Sequence, residues 1–248
     1  MSSKQDKVAL ITGSTSGIGL AIAQALARKG YHVVLHSRQS VATGTSLAAA
    51  LPSARYVAAD LLQEEARRQL IDAVLAHYGR LDVLVNNAGA SLTIPHNDLD
   101  TATPDLWHQQ YELHVVAPWQ LIALSRDALA AGAAKGVPGT VVNIASHAGL
   151  RPKGASIPYA VSKAALIHMT KLLAKTLAPQ IRVNALAPGL VDTPLTAGWS
   201  DIRNQWRRDA PMGRGAQPEE IAHMALALIE SPYLTGEVIL LDGGMHLL

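Results

Sequence analysis

A doubly wound α/β fold is what this sequence predicts, and three observations predict it. Short apolar runs alternate with long helical stretches along the whole chain. The runs are continuously apolar, as in strands buried on both faces of a parallel sheet. The first run closes in a glycine-rich turn, Thr12-Gly13-Ser14-Thr15-Ser16-Gly17-Ile18-Gly19, that opens a helix.

The predicted strands are Val8–Thr12, His32–His36, Arg55–Ala59, Val83–Asn86, Thr140–Ala145, Arg182–Ala185 and Val238–Leu241. Helical stretches lie between them, near 17–29, 40–50, 63–78, 104–131, 158–178 and 218–230. Right-handed crossovers then place helices on both faces of one parallel sheet. No linker or repeat divides the chain, so residues 1–248 read as one domain. Residues 130–139 read as a helix end and loop. Residues 192–217 break the rhythm with Pro194, Gly198, Pro211, Gly213, Gly215, Trp199 and Trp206. After a strand's carboxyl end, such an interruption suits a lid over a ligand; a surface excursion is the other reading.

Composition narrows the function. Apolar residues make up 49% and charged residues 16%, which excludes disorder. Phe is absent, so the core rests on Ala, Val, Leu and Ile. The net charge of +2 comes without a dense basic run, which argues against nucleic acid. Without Cys there are no disulfides or thiolate zinc sites, and the ten His show no ligand spacing, so no metal is expected. The polar N-terminus lacks a signal-peptide apolar region and no stretch suits a membrane span. The expectation is a cytoplasmic protein.

The glycine turn places free N–H groups and the positive end of a helix dipole where a pyrophosphate would lie. Its candidate contacts are Gly13, Ser16, Gly17, Ile18 and Gly19, spaced G-x-x-x-G-x-G. The second strand ends in His36-Ser37-Arg38, where a Rossmann site for NAD usually carries Asp or Glu. Arg38 instead offers a fork suited to a 2′-phosphate, with Ser37 adding a hydrogen bond. NADP(H) is therefore preferred, and NAD(H) stays possible. A solvated Arg38 is the bland alternative. Asp60 and Leu61 follow the third strand; Asp60 suits an adenine amino group or a helix cap. Asn87, Ala88 and Gly89 close the fourth strand, as a ribose-side approach or a simple turn.

Ser146 ends the fifth strand, and Tyr159 and Lys163 share one helix face farther on. A carbonyl reductase needs a proton donor, a cation that eases tyrosinate formation and a second hydrogen bond to the oxygen. Tyr159, Lys163 and Ser146 match those three needs. Y-x-x-x-K alone is a frequent accident; its context here makes it specific.

With these motifs, together with Pro188-Gly189, the chain resembles the classical short-chain dehydrogenase/reductase family over almost its whole length. It is closest in pattern to the 3-oxoacyl-reductase-like group. His-x-x-x-Pro at 114–118 and the ending Leu-Asp-Gly-Gly-Met-His-Leu are similar to dihydromonapterin and pteridine reductases. The resemblance implies a seven-stranded sheet ordered 3-2-1-4-5-6-7. It implies hydride transfer between nicotinamide C4 and a carbonyl or secondary alcohol carbon. Lys163 would hold the nicotinamide ribose, and Pro188, Gly189, Val191 and Thr193 would flank the nicotinamide. Asn184 would be a structural bridge. The apolar edge at 236–244 and the long helices would assemble a homotetramer or homodimer.

One position departs from the family. The helix before the fifth strand usually carries an asparagine that anchors a proton-relay water. Aligning Trp107 through Pro118 puts His114 there. It is expected to serve the relay or the site, or else merely to pack. His96 and Arg151 read as pocket or solvated loop residues, Trp107 as core, and Trp199 and Trp206 as substrate cover or lid packing. Two functions compete: an active carbonyl reductase or alcohol dehydrogenase, and a nucleotide-binding regulator of the same fold without catalysis.

Overall fold

A computed structural model describes residues 7–248; the N-terminal stretch at 1–6 lies outside the described residues. The strands are β1 (Val8–Ile11), β2 (His32–Ser37), β3 (Ala54–Ala58), β4 (Val83–Asn86), β5 (Gly139–Ile144), β6 (Ile181–Pro188) and β7 (Val238–Leu241). They form one parallel sheet in the order β3-β2-β1-β4-β5-β6-β7. The strand order implied by the resemblance is therefore the one observed. Strand β6 runs to Pro188, three residues beyond the sequence reading, because Leu186–Pro188 still pair with Ile239–Leu241.

Helices α1 (Gly17–Arg28), α2 (Val41–Ala50), α3 (Glu64–Tyr78), α4 (Pro104–Tyr111), α5 (Ala117–Ala130), α6 (Ile157–Leu177), α7 (Ser200–Asp209) and α8 (Pro218–Glu230) cover the sheet. Successive residues of β1 show the two layers. Ala9 and Ile11 pack with α1 and α8 on one face, while Val8 and Leu10 pack with α3 and α5 on the other. Each fully buried Leu or Ile contributes roughly 1.5–3 kcal/mol, so the two aliphatic layers stand without Phe.

The continuous helix read over 104–131 is interrupted. A π-turn spans Glu112–Val116 between α4 and α5. Pro118 lacks the N–H that would bond the His114 carbonyl, and Arg67 holds Glu112 from α3 at 2.6 Å. The turn swings His114 into the interior, where it is 1% exposed. Within 192–217 the structure holds a short 3₁₀ turn, Pro194–Thr196, and α7, joined and followed by turns. Trp107, read as core, is half-buried and belongs to neither aliphatic layer. No helix among the described residues is long and apolar enough to cross a membrane.

Candidate active site

A cavity of about 600 Å³ runs along the carboxyl ends of β1 through β6. Crevices of this kind form where crossovers leave a doubly wound sheet in opposite directions. All the candidate site residues line it except Gly19 and His114. Gly19 sits beneath the turn, where a Cβ would lie 2.4 Å from Asn87 Nδ2. His114 lies behind the wall.

At the nucleotide end, Gly13 has φ +63° and packs so tightly that a Cβ would lie 2.8 Å from Ala88 Cα. Only glycine fits that combination. Thr12 Oγ1 accepts the N–H groups of Asn87 and Ala88, both at 3.0 Å. Asn87 Nδ2 donates back to the carbonyls of Thr12 and Gly13 at 2.8 and 3.0 Å. The first turn and the β4 loop are thus laced together. Ser16 precedes α1 without a side-chain cap, so no side chain competes for the first-turn N–H groups.

No carboxylate occupies the end of β2, and Arg38 stands exposed at the cavity mouth. Ser37 Oγ is engaged by Tyr56 Oη at 2.8 Å and by the Ser40 N–H at 3.2 Å. Asp60 Oδ1 accepts the Leu62 N–H at 3.1 Å, and the residue preceding α3 is Gln63. Asp60 therefore braces its own loop rather than capping the helix.

At the other end, Ser146 hydrogen-bonds the side chain of Tyr159. Lys163 Nζ lies 5.7 Å from the Tyr159 ring centroid and donates to the Ile144 carbonyl at 2.9 Å. Burial pushes the phenol's pKa up, against the hydrogen bond from Ser146. Burial also brings the Lys163 ammonium down to about 7. A phenol and an amine with such displaced pKa values, side by side in a cavity, make this end the candidate reacting centre. Placement is legible locally: Ser146 follows a buried strand, and Pro158 in the first turn of α6 starts the helix that aligns Tyr159 with Lys163.

This constellation has relatives. A family model described as enoyl-(acyl carrier protein) reductase matches residues 13–246. The "Granaticin polyketide synthase putative ketoacyl reductase 2" of Streptomyces violaceoruber is 48% identical, covering 97% of this chain and 96% of that protein. The chain is a short-chain dehydrogenase/reductase. Among solved structures, the 3-ketoacyl-(acyl-carrier-protein) reductase of Brucella melitensis, complexed with NADH, superposes with TM-score 0.89 at 32% identity, covering 96% of this chain and 98% of that one. The RhlG/NADP active-site complex of Pseudomonas aeruginosa also gives 0.89, at 35% identity, covering 97% and 96%.

Around the cavity, this dehydrogenase/reductase also places residues that were not among the candidate contacts read from the sequence, His36 and Asp242 among them. His36 Nδ1 accepts the Gly13 N–H at 3.1 Å, while Nε2 donates to the Ala59 carbonyl at 3.0 Å. A histidine inside the apolar run Val-Val-Leu-His-Ser was the available signal. Next to Ser146, His147 donates from Nδ1 to Asp242 at 2.8 Å and meets the Trp206 ring edge-on at 5.8 Å. Asp242 also accepts from His246 Nδ1 at 2.8 Å. Gly189 lies under Trp206: a Cβ there would come within 2.6 Å of Cζ2. Trp199 and Trp206 both line the cavity, whereas His96 and Arg151 do not. His96 is an exposed loop residue bonded to the Gly154 carbonyl at 3.1 Å. Asn184 bridges β6 to the loop before β7, giving Nδ2 to Leu234 O at 2.9 Å and taking the Glu237 N–H at 3.0 Å. No group of three or more His, Cys, Asp or Glu among the described residues could hold a metal.

Proposed function

We propose that this short-chain dehydrogenase/reductase interconverts a carbonyl and a secondary alcohol with NADP(H), Tyr159 serving as general acid/base. The observation that carries the reading is the Ser146–Tyr159–Lys163 cluster, with Lys163 buried and Ser146 and Tyr159 half-buried, at one end of the cavity whose other end is the laced glycine turn.

The cavity fits a dinucleotide. Gly13 holds the tight left-handed turn packed on Ala88 that brings the backbone to the cavity, uncapped N–H groups stand at the start of α1, and Arg38 supplies a fork for a 2′-phosphate. Gly13, Ser16, Gly17, Ile18 and Gly19 would hold the pyrophosphate, with Asp60 and Leu61 on the adenine side. Asn87, Ala88 and Gly89 would line the ribose; Pro188, Gly189, Val191 and Thr193 would line the nicotinamide. When bound, the nicotinamide supplies or accepts the hydride. The Tyr159 hydroxyl hands its proton to the carbonyl oxygen, and Ser146 holds that oxygen by a second hydrogen bond. Charged Lys163 favours tyrosinate by its proximity. Trp199 and Trp206, with Leu195 and Ile202, give the substrate side an apolar cover, so 192–217 acts as its lid. The ketoacyl-reductase names of the relatives favour a 3-oxoacyl thioester as the first carbonyl to test. Exposed Tyr111, Trp119, Val161 and Leu172 on α4, α5 and α6 suit a homodimer or homotetramer in the cytoplasm, checked by light scattering.

The test is NADPH oxidation with a panel of oxoacyl thioesters, ketones, quinones and dihydropterins. Turnover is expected, and Tyr159→Phe abolishes it while NADPH still binds. A wild type that binds NADPH but reduces nothing in the panel overturns the catalytic reading in favour of a non-catalytic nucleotide binder.

A further inference from the structure

His114 joins three parts of the site, and its hydrogen bonds assign every proton. Ala90 N–H points at Nε2 from 3.3 Å. A backbone N–H can only donate, so Nε2 carries a lone pair. The hydrogen of the neutral ring then resides on Nδ1, which lies 2.9 Å from Ser162 Oγ. Ser162 in turn donates to the Tyr159 carbonyl at 2.7 Å. The chain runs one way, from Ala90 to the ring, to Ser162, to a backbone carbonyl. A carbonyl that ends a chain passes no proton onward. The Lys163 ammonium makes its hydrogen bond elsewhere, to Ile144.

We propose that His114 is a positioning residue held as the neutral Nδ1–H tautomer, tying the loop after β4 to the helix that carries Tyr159 and Lys163, and conducting no proton. The proposal rests on the reading of Tyr159 as the acid/base. The His114 ring meets Tyr159 edge-to-face, with centroids 5.4 Å apart and planes at 88°. That contact sets the phenol's tilt, and the Ala90 bond sets how far Tyr159 stands from the cofactor-side loop. The charged groups around the ring oppose its protonation. Lys163 faces it from α6, and Glu112 on its own turn is engaged by Arg67 of α3. Burial and the Lys163 charge together hold the imidazole well below its ordinary pKa.

Nitrogen NMR of the full protein labelled with ¹⁵N-histidine tests the tautomer without turnover, using His114→Phe to identify the signals. The expected result is a protonated Nδ1 and an unprotonated Nε2 that do not change from pH 8 to 5.5. A protonated Nε2, or a ring that titrates in that range, overturns the proposal. Kinetics test the role. His114→Phe should lower kcat about 10- to 100-fold, as an ångström-scale misplacement does. Ser162→Ala, a smaller change, should lower it less. The limbs of the pH–rate profile should stay where they are in both. A displaced limb, or activity restored by added imidazole, makes His114 a proton carrier and overturns the proposal; so does an unchanged kcat in both variants. If the wild type reduces no carbonyl, the catalytic reading fails, and the NMR result still decides the tautomer.

Discussion

The backbone N–H of Gly13 is held by the imidazole Nδ1 of His36 at 3.1 Å, and the same ring gives its other N–H to Ala59 at 3.0 Å. One buried side chain therefore pins the ends of β1, β2 and β3 around the nucleotide end of the cavity. The Gly13 bond needs a lone pair on Nδ1, so His36 works only when neutral.

His36 should consequently control nucleotide affinity. His36→Leu removes the partner of the half-buried Gly13 N–H and strands the buried Ala59 carbonyl, the latter costing roughly 1–3 kcal/mol. His36→Asn places an acceptor near the Nδ1 position and keeps the Gly13 bond. Titration by NADPH fluorescence should show a larger loss of affinity for the leucine variant than for the asparagine variant. Equal losses would mean that the Gly13 bond does not shape the turn.

The same residue makes an acid-side prediction. Burial brings the His36 pKa from 6.5 to about 4. Between those values the unfolded chain binds a proton that the folded chain refuses, so stability rises with pH across that window. The contribution is full above 6.5 and is lost as pH falls toward 4, amounting to roughly 3 kcal/mol. His114 acts in the same direction. Thermal unfolding from pH 7 to 4 should show the decline, and a flatter curve in a folded His36→Asn variant assigns its share.

Arg38 should discriminate between cofactors. Arg38→Ala is expected to weaken NADPH binding at least tenfold while leaving NADH binding nearly unchanged, in keeping with a charge-assisted pair to the 2′-phosphate. Isothermal titration with both nucleotides measures the ratio; parallel losses would remove the 2′-phosphate assignment.

Gly189→Ala should move the lid. The new methyl falls 2.6 Å from Trp206 Cζ2 and 3.0 Å from Asp242 Cα. The indole must shift, so KM for the carbonyl substrate and the tryptophan emission should both change. Adding Trp206→Ala should partly restore KM, because the closest contact is gone; no restoration would place the strain on Asp242 instead.

Arg182 should matter for stability rather than chemistry. It is 7% exposed and donates to the carbonyls of Leu228, Ile229 and Leu234 and to Thr140 Oγ1. Arg182→Met takes the donor from the Leu228 and Ile229 carbonyls at the end of α8 and from Thr140 Oγ1 on β5, while the Leu234 carbonyl keeps Asn184 Nδ2, a loss of roughly 3–5 kcal/mol. Denaturant titration reads the loss, while the pH profile of turnover stays unchanged.

Local patterns in the chain specify the strand–helix alternation, the glycine turn and the Ser146, Tyr159 and Lys163 positions. Each depends on residues near in sequence: apolar runs of strand length, a turn that needs φ above zero, and a four-residue spacing on one helix. Tertiary structure decided the rest. The π-turn that buries His114 joins a local cause, the N–H that Pro118 lacks, to Glu112 meeting Arg67 from another helix, and helical periodicity across 104–131 conceals it. His36 reads as the polar end of a strand until Gly13 and Ala59 close on both its nitrogens. Trp206 becomes part of the cavity only because Gly189, seventeen positions earlier, leaves room for it. Sequence periodicity records which face a residue presents to its own element; it carries no record of the partner that another element brings to that face.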